Sequence, residues 1–226
     1  DSNPDVPETH CLNDDAWQEP SESSDRAPRV KVHWKLYFYT LAASMSELAN
    51  GYDVGAFSFA LLHFTADPTI DLTSFEVAVI VGMFNIVAAL GCLLAGPITD
   101  WAGRKSSLIG GNLVNFVGTL LLAYARSFEV MFLGRFIMGL GAGIAFMGPE
   151  LYASEISPPH VRGLTSTWGE LFINTGILVG YVSGWALGAH WRTMVALGAI
   201  IPAVSVLLQL MIPESPRYEG SQPRPT

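Results

Sequence analysis

The sequence predicts an all-α membrane protein with six transmembrane helices, and three observations carry that prediction. Half of its 226 residues are hydrophobic and only 14% are charged, where a soluble domain carries about 25% charge. The apolar residues gather into six blocks, near 36–60, 76–98, 107–125, 129–150, 164–188 and 193–212. Each is close to the ~20 residues that match a bilayer core. A soluble helical bundle would instead need a polar stripe along every helix, and the blocks at 76–98 and 193–212 have none.

The elements follow in order. Before the first block, residues 1–25 hold eight Asp and Glu and no Lys or Arg, among Pro and Ser. Such a segment cannot bury enough apolar surface to fold, so 1–32 reads as a disordered acidic tail. It lacks the basic start of a signal peptide and the acid-poor composition of a transit peptide. The tail also makes the net charge of −8 a poor guide to the membrane region. Cys11 lies in the tail and Cys92 in the second block, which suggests neither a disulfide framework nor a metal site. The five His are scattered without ligand spacing, so no metal is expected; no cofactor, enzymatic activity or nucleic-acid partner is expected either.

Orientation comes from Lys and Arg. With six spans, Arg26, Arg29, Lys31, Lys35, Arg104, Lys105, Arg162, Arg217 and Arg224 fall on one side, and Arg126 and Arg192 on the other. The positive-inside rule then places both ends in the cytoplasm. The loop "HFTADPTIDLTSFE", on the other side, carries only acids.

The turn between blocks two and three reads "GPITDWAGRKS". Pro97 is expected to stop the second helix there, and Gly103 to permit a tight turn. The spacing of Gly96, Asp100, Gly103, Arg104 and Lys105 resembles the loop signature of the major facilitator superfamily. After block four come Pro149, Tyr152, Glu155, Pro158, Arg162 and Gly163. After block six come Pro213, Glu214, Ser215, Pro216 and Arg217. Together these motifs resemble the sugar porter family over roughly Leu36 to Tyr218. "ELFINTGILVGYVSG" and "WRTMVALGAIIPAV" are most similar to plant polyol and monosaccharide proton symporters. The resemblance implies that 33–218 is the N-terminal six-helix half, a 3+3 inverted repeat, of a twelve-helix transporter. It also implies a latch at the cytoplasmic face, made of Asp100, Arg104, Glu155, Arg162, Glu214 and Arg217. Such pairs are worth about 0–1 kcal/mol each when exposed, but a network can form in one conformation and break in the other.

Asp53, in "NGYDVGAF", is a carboxylate inside the first span, where an acid costs roughly 2.5–3.5 kcal/mol on insertion scales. It lies about seven residues, or roughly 10 Å, from the outer end of that span. Arg135, the cation within a span, lies about six residues, or roughly 9 Å, from the outer end of the fourth. Equal depth makes the two natural partners. In proton-coupled sugar porters a carboxylate in a G-Y-D motif pairs with the Arg that opens the fourth helix's glycine run, so the resemblance implies a proton-coupling role for Asp53 and Arg135. A carboxylate that changes partner with conformation can load a proton on one side and release it on the other. Glu47 lies six residues earlier, about 120° around the helix, and does not pair with Asp53. It departs from the family's usual small or neutral residue.

Gly139, Gly141 and Gly143 follow no strand, so they are expected to bring helices close rather than cradle a nucleotide. In the fifth span Glu170, Asn174 and Ile177 are near one face. The resemblance places substrate contacts there, with two Gln of many family members replaced by Glu170 and Ile177. The implied activity is monosaccharide or polyol transport by alternating access, as a proton symporter. The implied partners are the solute, protons, the lipid bilayer and a second six-helix half. A sugar sensor or a regulatory half-transporter is the alternative reading. A plasma or vacuolar membrane is expected. After Tyr218 the sequence leaves the family pattern, and 219–226 reads as the start of a cytoplasmic loop or a truncated end.

Overall fold

The computed structural model describes residues 34–64, 72–188 and 190–214. The acidic tail and Arg217 lie outside the described residues, as do Ser215 and Pro216. The described chain forms α1 (Trp34–Phe64), α2 (Ser74–Ala102), α3 (Arg104–Ala123), α4 (Phe128–Ile156), α5 (Arg162–Leu187), α6 (Trp191–Gly198) and α7 (Ile200–Leu210). The last two run end to end, so the six expected spans become six helical units.

Four units, 74–102, 104–123, 128–156 and 191–210, are long and apolar enough to cross a membrane. α1 has 31 residues and α5 has 26, and both also exceed the length a bilayer requires. They are more polar because α1 carries Glu47 and Asp53 and α5 carries Glu170. The apolar exterior fits a lipid-facing surface: Leu93 is 74% exposed and Trp185 is 83% exposed.

Two helix boundaries differ from expectation for the same residue type. Pro97 does not end α2, which continues to Ala102. Proline removes one backbone donor from a helix, and here the helix absorbs that loss. The chain instead reverses at Gly103, whose φ of 94° is the left-handed side that favours glycine. Gly103 closes α2 and opens α3 in a single residue. In the sixth unit an unbroken helix was expected, yet it is interrupted at Ala199. Pro202 has no N–H for the carbonyl of Gly198, four residues earlier, and its ring crowds that carbonyl. Ala199 bonds back to Ala196 instead, tightening the turn. The start of α2 is a capping box: Glu76 N–H donates to Thr73 Oγ1 and Thr73 N–H to Glu76 Oε2.

α1 packs chiefly on α5, while α4 packs on both α3 and α2. The glycine run of α4 does what its pattern suggests. A side chain at Gly143 would strike α2, one at Gly139 would press tightly on it, and one at Gly141 would strike the α3 backbone at Asn115. Small residues let these backbones approach where lipid offers no hydrophobic drive for association. The larger core gathers Tyr52, Ile80, Leu122, Met131, Met138, Trp191 and Met194. A smaller one, with Ala43, Leu108, Tyr152 and Ile212, lies at the Gly103 end.

Candidate functional site

Asp53 on α1 and Arg135 on α4 are both buried, 6% and 3% exposed. They line one cavity of about 120 Å³ with Phe57, Phe84 and Asn85. The structure thus brings them to the same place, as their depths predicted, but it does not close the expected ion pair. The Arg135 guanidinium lies over the Phe57 ring, 3.2 Å from its centroid, with Phe84 at 4.6 Å. One N–H approaches Met138 Sδ at 3.8 Å. Arg135 Nε and Asp53 Oδ2 are buried with no hydrogen-bond partner. The reason is local. Phe57 is one turn beyond Asp53 on α1, so the same helix face offers the arginine a ring, whose quadrupole attracts a cation.

Behind Asp53 lies a set of amides that the sequence reading did not single out. Asn115 Nδ2 donates to Asn50 Oδ1 at 3.3 Å, and Thr119 Oγ1 donates to Asn115 Oδ1 at 3.1 Å. Asn50 Nδ2 reaches the Ala142 carbonyl at 3.4 Å. These bonds tie α1, α3 and α4 together beside the carboxylate. Asn50 also lines a neighbouring cavity of about 290 Å³ with Phe84, Asn85, Cys92, Phe146 and Ile173. Polar residues interrupting apolar spans were the available signal for Asn50, Asn85 and Asn115. Tyr52 pins α1 to α6 by donating to the Met194 carbonyl at 2.8 Å.

The three expected substrate residues are not gathered in either cavity. Glu170 and Asn174 are exposed on α5, and the Asn174 amide donates to the Glu170 carbonyl at 2.7 Å. Ile177 is half-buried, with its carbonyl against Gly55 of α1. Ile173 is the α5 residue that lines the 290 Å³ cavity. Glu47 gains a setting it lacked in the sequence. It is 1% exposed, its Oε2 has no hydrogen-bond partner, and this oxygen converges with Glu150 Oε1 above Gly169.

At the Gly103 end the latch residues divide. Arg104 donates from Nε and Nη2 to Glu155 at 3.1–3.2 Å, meets Asp100 at 2.8 Å and donates from Nη1 to the Thr99 carbonyl at 2.8 Å. Glu214 Oε1 accepts the Lys105 backbone N–H at 2.9 Å, and Tyr152 donates its hydroxyl to the Pro213 carbonyl at 3.0 Å. Arg162 is exposed at the start of α5 and does not join this cluster. Arg217 lies outside the described residues.

The family model described as "Sugar (and other) transporter" matches residues 39–224. Polyol transporter 5 of Arabidopsis thaliana is 33% identical over 189 residues, which is 81% of this chain and 35% of that protein. Probable polyol transporter 4 of the same plant is 40% identical over 182 residues, 78% of this chain and 34% of that protein. The chain therefore spans about a third of the length of these relatives. Among solved structures, the major facilitator proton:xylose symporter XylE bound to 6-bromo-6-deoxy-D-glucose superposes with a TM-score of 0.76 at 24% identity. That match covers 82% of this chain and 46% of that one, and it shows the shared fold. The described residues form an all-helical bundle with apolar spans, and the family model matches most of the chain; the chain is an integral membrane protein and belongs to the sugar transporter family.

Proposed function

We propose that the protein containing this chain carries a monosaccharide or polyol across a membrane together with protons, by alternating access between this six-helix unit and a second one. The observation that carries the reading is Asp53 and Arg135, both buried on one cavity and not bonded to each other. A buried carboxylate that does not touch its counter-ion is costly to keep charged. A conformation that joins it to Arg135 removes that cost, so proton occupancy and conformation are coupled. The family supports a solute of this class, since named relatives are polyol transporters. Glu170, Asn174 and Ile177 remain the proposed solute contacts, because Glu170 and Asn174 present polar groups on an exposed face of α5. Asp100, Arg104, Glu155 and Glu214, with Arg162 and Arg217, are the proposed latch, and both ends are assigned to the cytoplasm by charge bias. A plasma membrane, or alternatively a vacuolar membrane, is the proposed location.

The test is Asp53→Asn in the complete transporter. Accumulation of solute against its gradient is expected to fall to background, while downhill exchange stays measurable. Uphill uptake at the wild-type level in the variant would remove Asp53 from coupling.

A further inference from the structure

Glu47 is a buried acid of α1 that the proposed coupling pair does not use. It is 1% exposed, and no donor reaches its Oε2. A buried acceptor left in that state is costly, the more so when charged. What it faces is a second acid. Gly169 of α5 has no side chain, and Glu47 Oε2 and Glu150 Oε1 meet in the space this leaves open. Glu150 Oε1 is 2.8 Å from the point that a Cβ on Gly169 would occupy, and Glu47 Oε2 is closer still. The two oxygens are therefore less than 5.6 Å, twice that distance, apart. The charged groups that act on Glu47 among the described residues are Glu150 on α4 and Glu170 on α5, both acids. α3 and α7 approach this turn of α1 with the neutral Asn112 and Gln209, which bond the neighbouring Ser46. α6 meets α1 further along, at Tyr52, through the Met194 carbonyl. Arg135, on α4, rests on Phe57, ten residues or about 15 Å along α1 from Glu47.

We infer that Glu47 and Glu150 share one proton and form a second proton-binding site, separate from Asp53. The proton stays bonded to one carboxyl oxygen and is donated to the other carboxylate, which supplies the donor that Glu47 Oε2 lacks. The pair then carries one negative charge in place of two. Two carboxylates held this close with no cation between them repel when both are ionised, and one shared proton replaces that repulsion with a hydrogen bond. Glu150 is only half-buried, so it gives the proton a way in from water. Asp53 is six residues beyond Glu47, about 9 Å along the helix axis, which is too far for one hydrogen bond. The two sites therefore take their protons separately, and the Glu47 site does not depend on a coupling role for Asp53.

The experiment is infrared spectroscopy of the purified protein in detergent at about pH 7, where an ordinary Glu is ionised. A carbonyl stretch from a protonated carboxyl group should be present and should shift on exchange into heavy water. Asp53→Asn removes the other buried acid of α1, and the band should remain in that variant. Adding Glu47→Gln to Asp53→Asn should abolish it. Gln has the shape of a protonated Glu and can donate to Glu150, so the packing around Gly169 is kept. Adding Glu150→Gln instead changes a half-buried residue and tests the same band independently; here the band should shift or weaken. No band in the Asp53→Asn protein, or a band that Glu47→Gln leaves in place, would overturn the site. A band lost in Glu47→Gln but unaltered in Glu150→Gln would give the proton to Glu47 alone and overturn the sharing.

Discussion

Arg104 and Arg135 are both buried arginines of one bundle, and the protein holds them in opposite ways. Arg104 has two carboxylates and a backbone carbonyl around its guanidinium. Arg135 has two aromatic rings and a thioether, and its Nε finds no acceptor. The first arrangement uses nearly every donor of the fork in fixed directions. The second holds a charge through soft, non-directional contacts and leaves one oxygen of its expected partner, Asp53 Oδ2, without a hydrogen bond nearby. A group bound by many directed bonds resists displacement, whereas one resting on ring faces can shift at small cost. The difference separates a position suited to holding one arrangement from a position suited to changing.

The largest effect expected from this contrast is at Arg104. Arg104→Ala removes the guanidinium that bonds Glu155, whose side chain is only 7% exposed. The cost should be about 2–4 kcal/mol of stability, between the values for exposed and fully buried pairs. Arg104→Lys keeps the charge but loses the planar fork, and should recover only part of that loss. Chemical unfolding in mild detergent would measure both. If Lys were fully equivalent to Arg, charge alone would suffice and the directed geometry would be irrelevant.

At Arg135 the comparison predicts energetic coupling to an aromatic neighbour. A double-mutant cycle with Phe57→Leu and Arg135→Met should give a coupling of about 1–2 kcal/mol, as expected for a desolvated cation–π contact. Independent effects of the two substitutions would mean that the guanidinium does not rest on the Phe57 ring.

Much of this architecture is legible in the sequence, and the exceptions share a cause. Apolar block length located all six helical units, and the glycine spacing of α4 was enough to anticipate helix contact at Gly139, Gly141 and Gly143. Both depend on local composition. The passage of α2 through Pro97 and the interruption near Pro202 differ although both follow a proline in an apolar run. Local rules state the penalty, and the surrounding packing decides whether the helix bears it. The Asp53–Arg135 reading was correct about depth because helix rise is regular. It missed the ring at Phe57 because side-chain choice among competing partners is a tertiary matter. The same holds for Glu47, whose convergence with Glu150 involves α1 and α4 against Gly169 of α5 and has no trace in local sequence.

The smallest expected effect tests how far the directed geometry extends beyond Arg104. Glu214 closes the cluster by accepting the Lys105 backbone N–H at 2.9 Å, so its side chain ties the segment after α7 to the start of α3. In Glu214→Gln the amide oxygen can accept the same N–H. The geometry survives, and only the charge-assisted part of the bond is lost. Hydrogen bonds to charged groups exceed neutral ones by about 1 kcal/mol, and partial exposure at the bundle end reduces that difference through solvent screening. The variant should therefore lose well under about 1 kcal/mol, while Glu214→Ala, which removes the acceptor altogether, should lose more. Hydrogen exchange at the Lys105 amide gives a local reading that global unfolding would blur. Protection should persist in the Gln variant and fall in the Ala variant. Equal loss in both would show that charge, and not the placement of an acceptor, holds this end of the bundle together, and the distinction drawn at Arg104 would then not extend to the segment after α7.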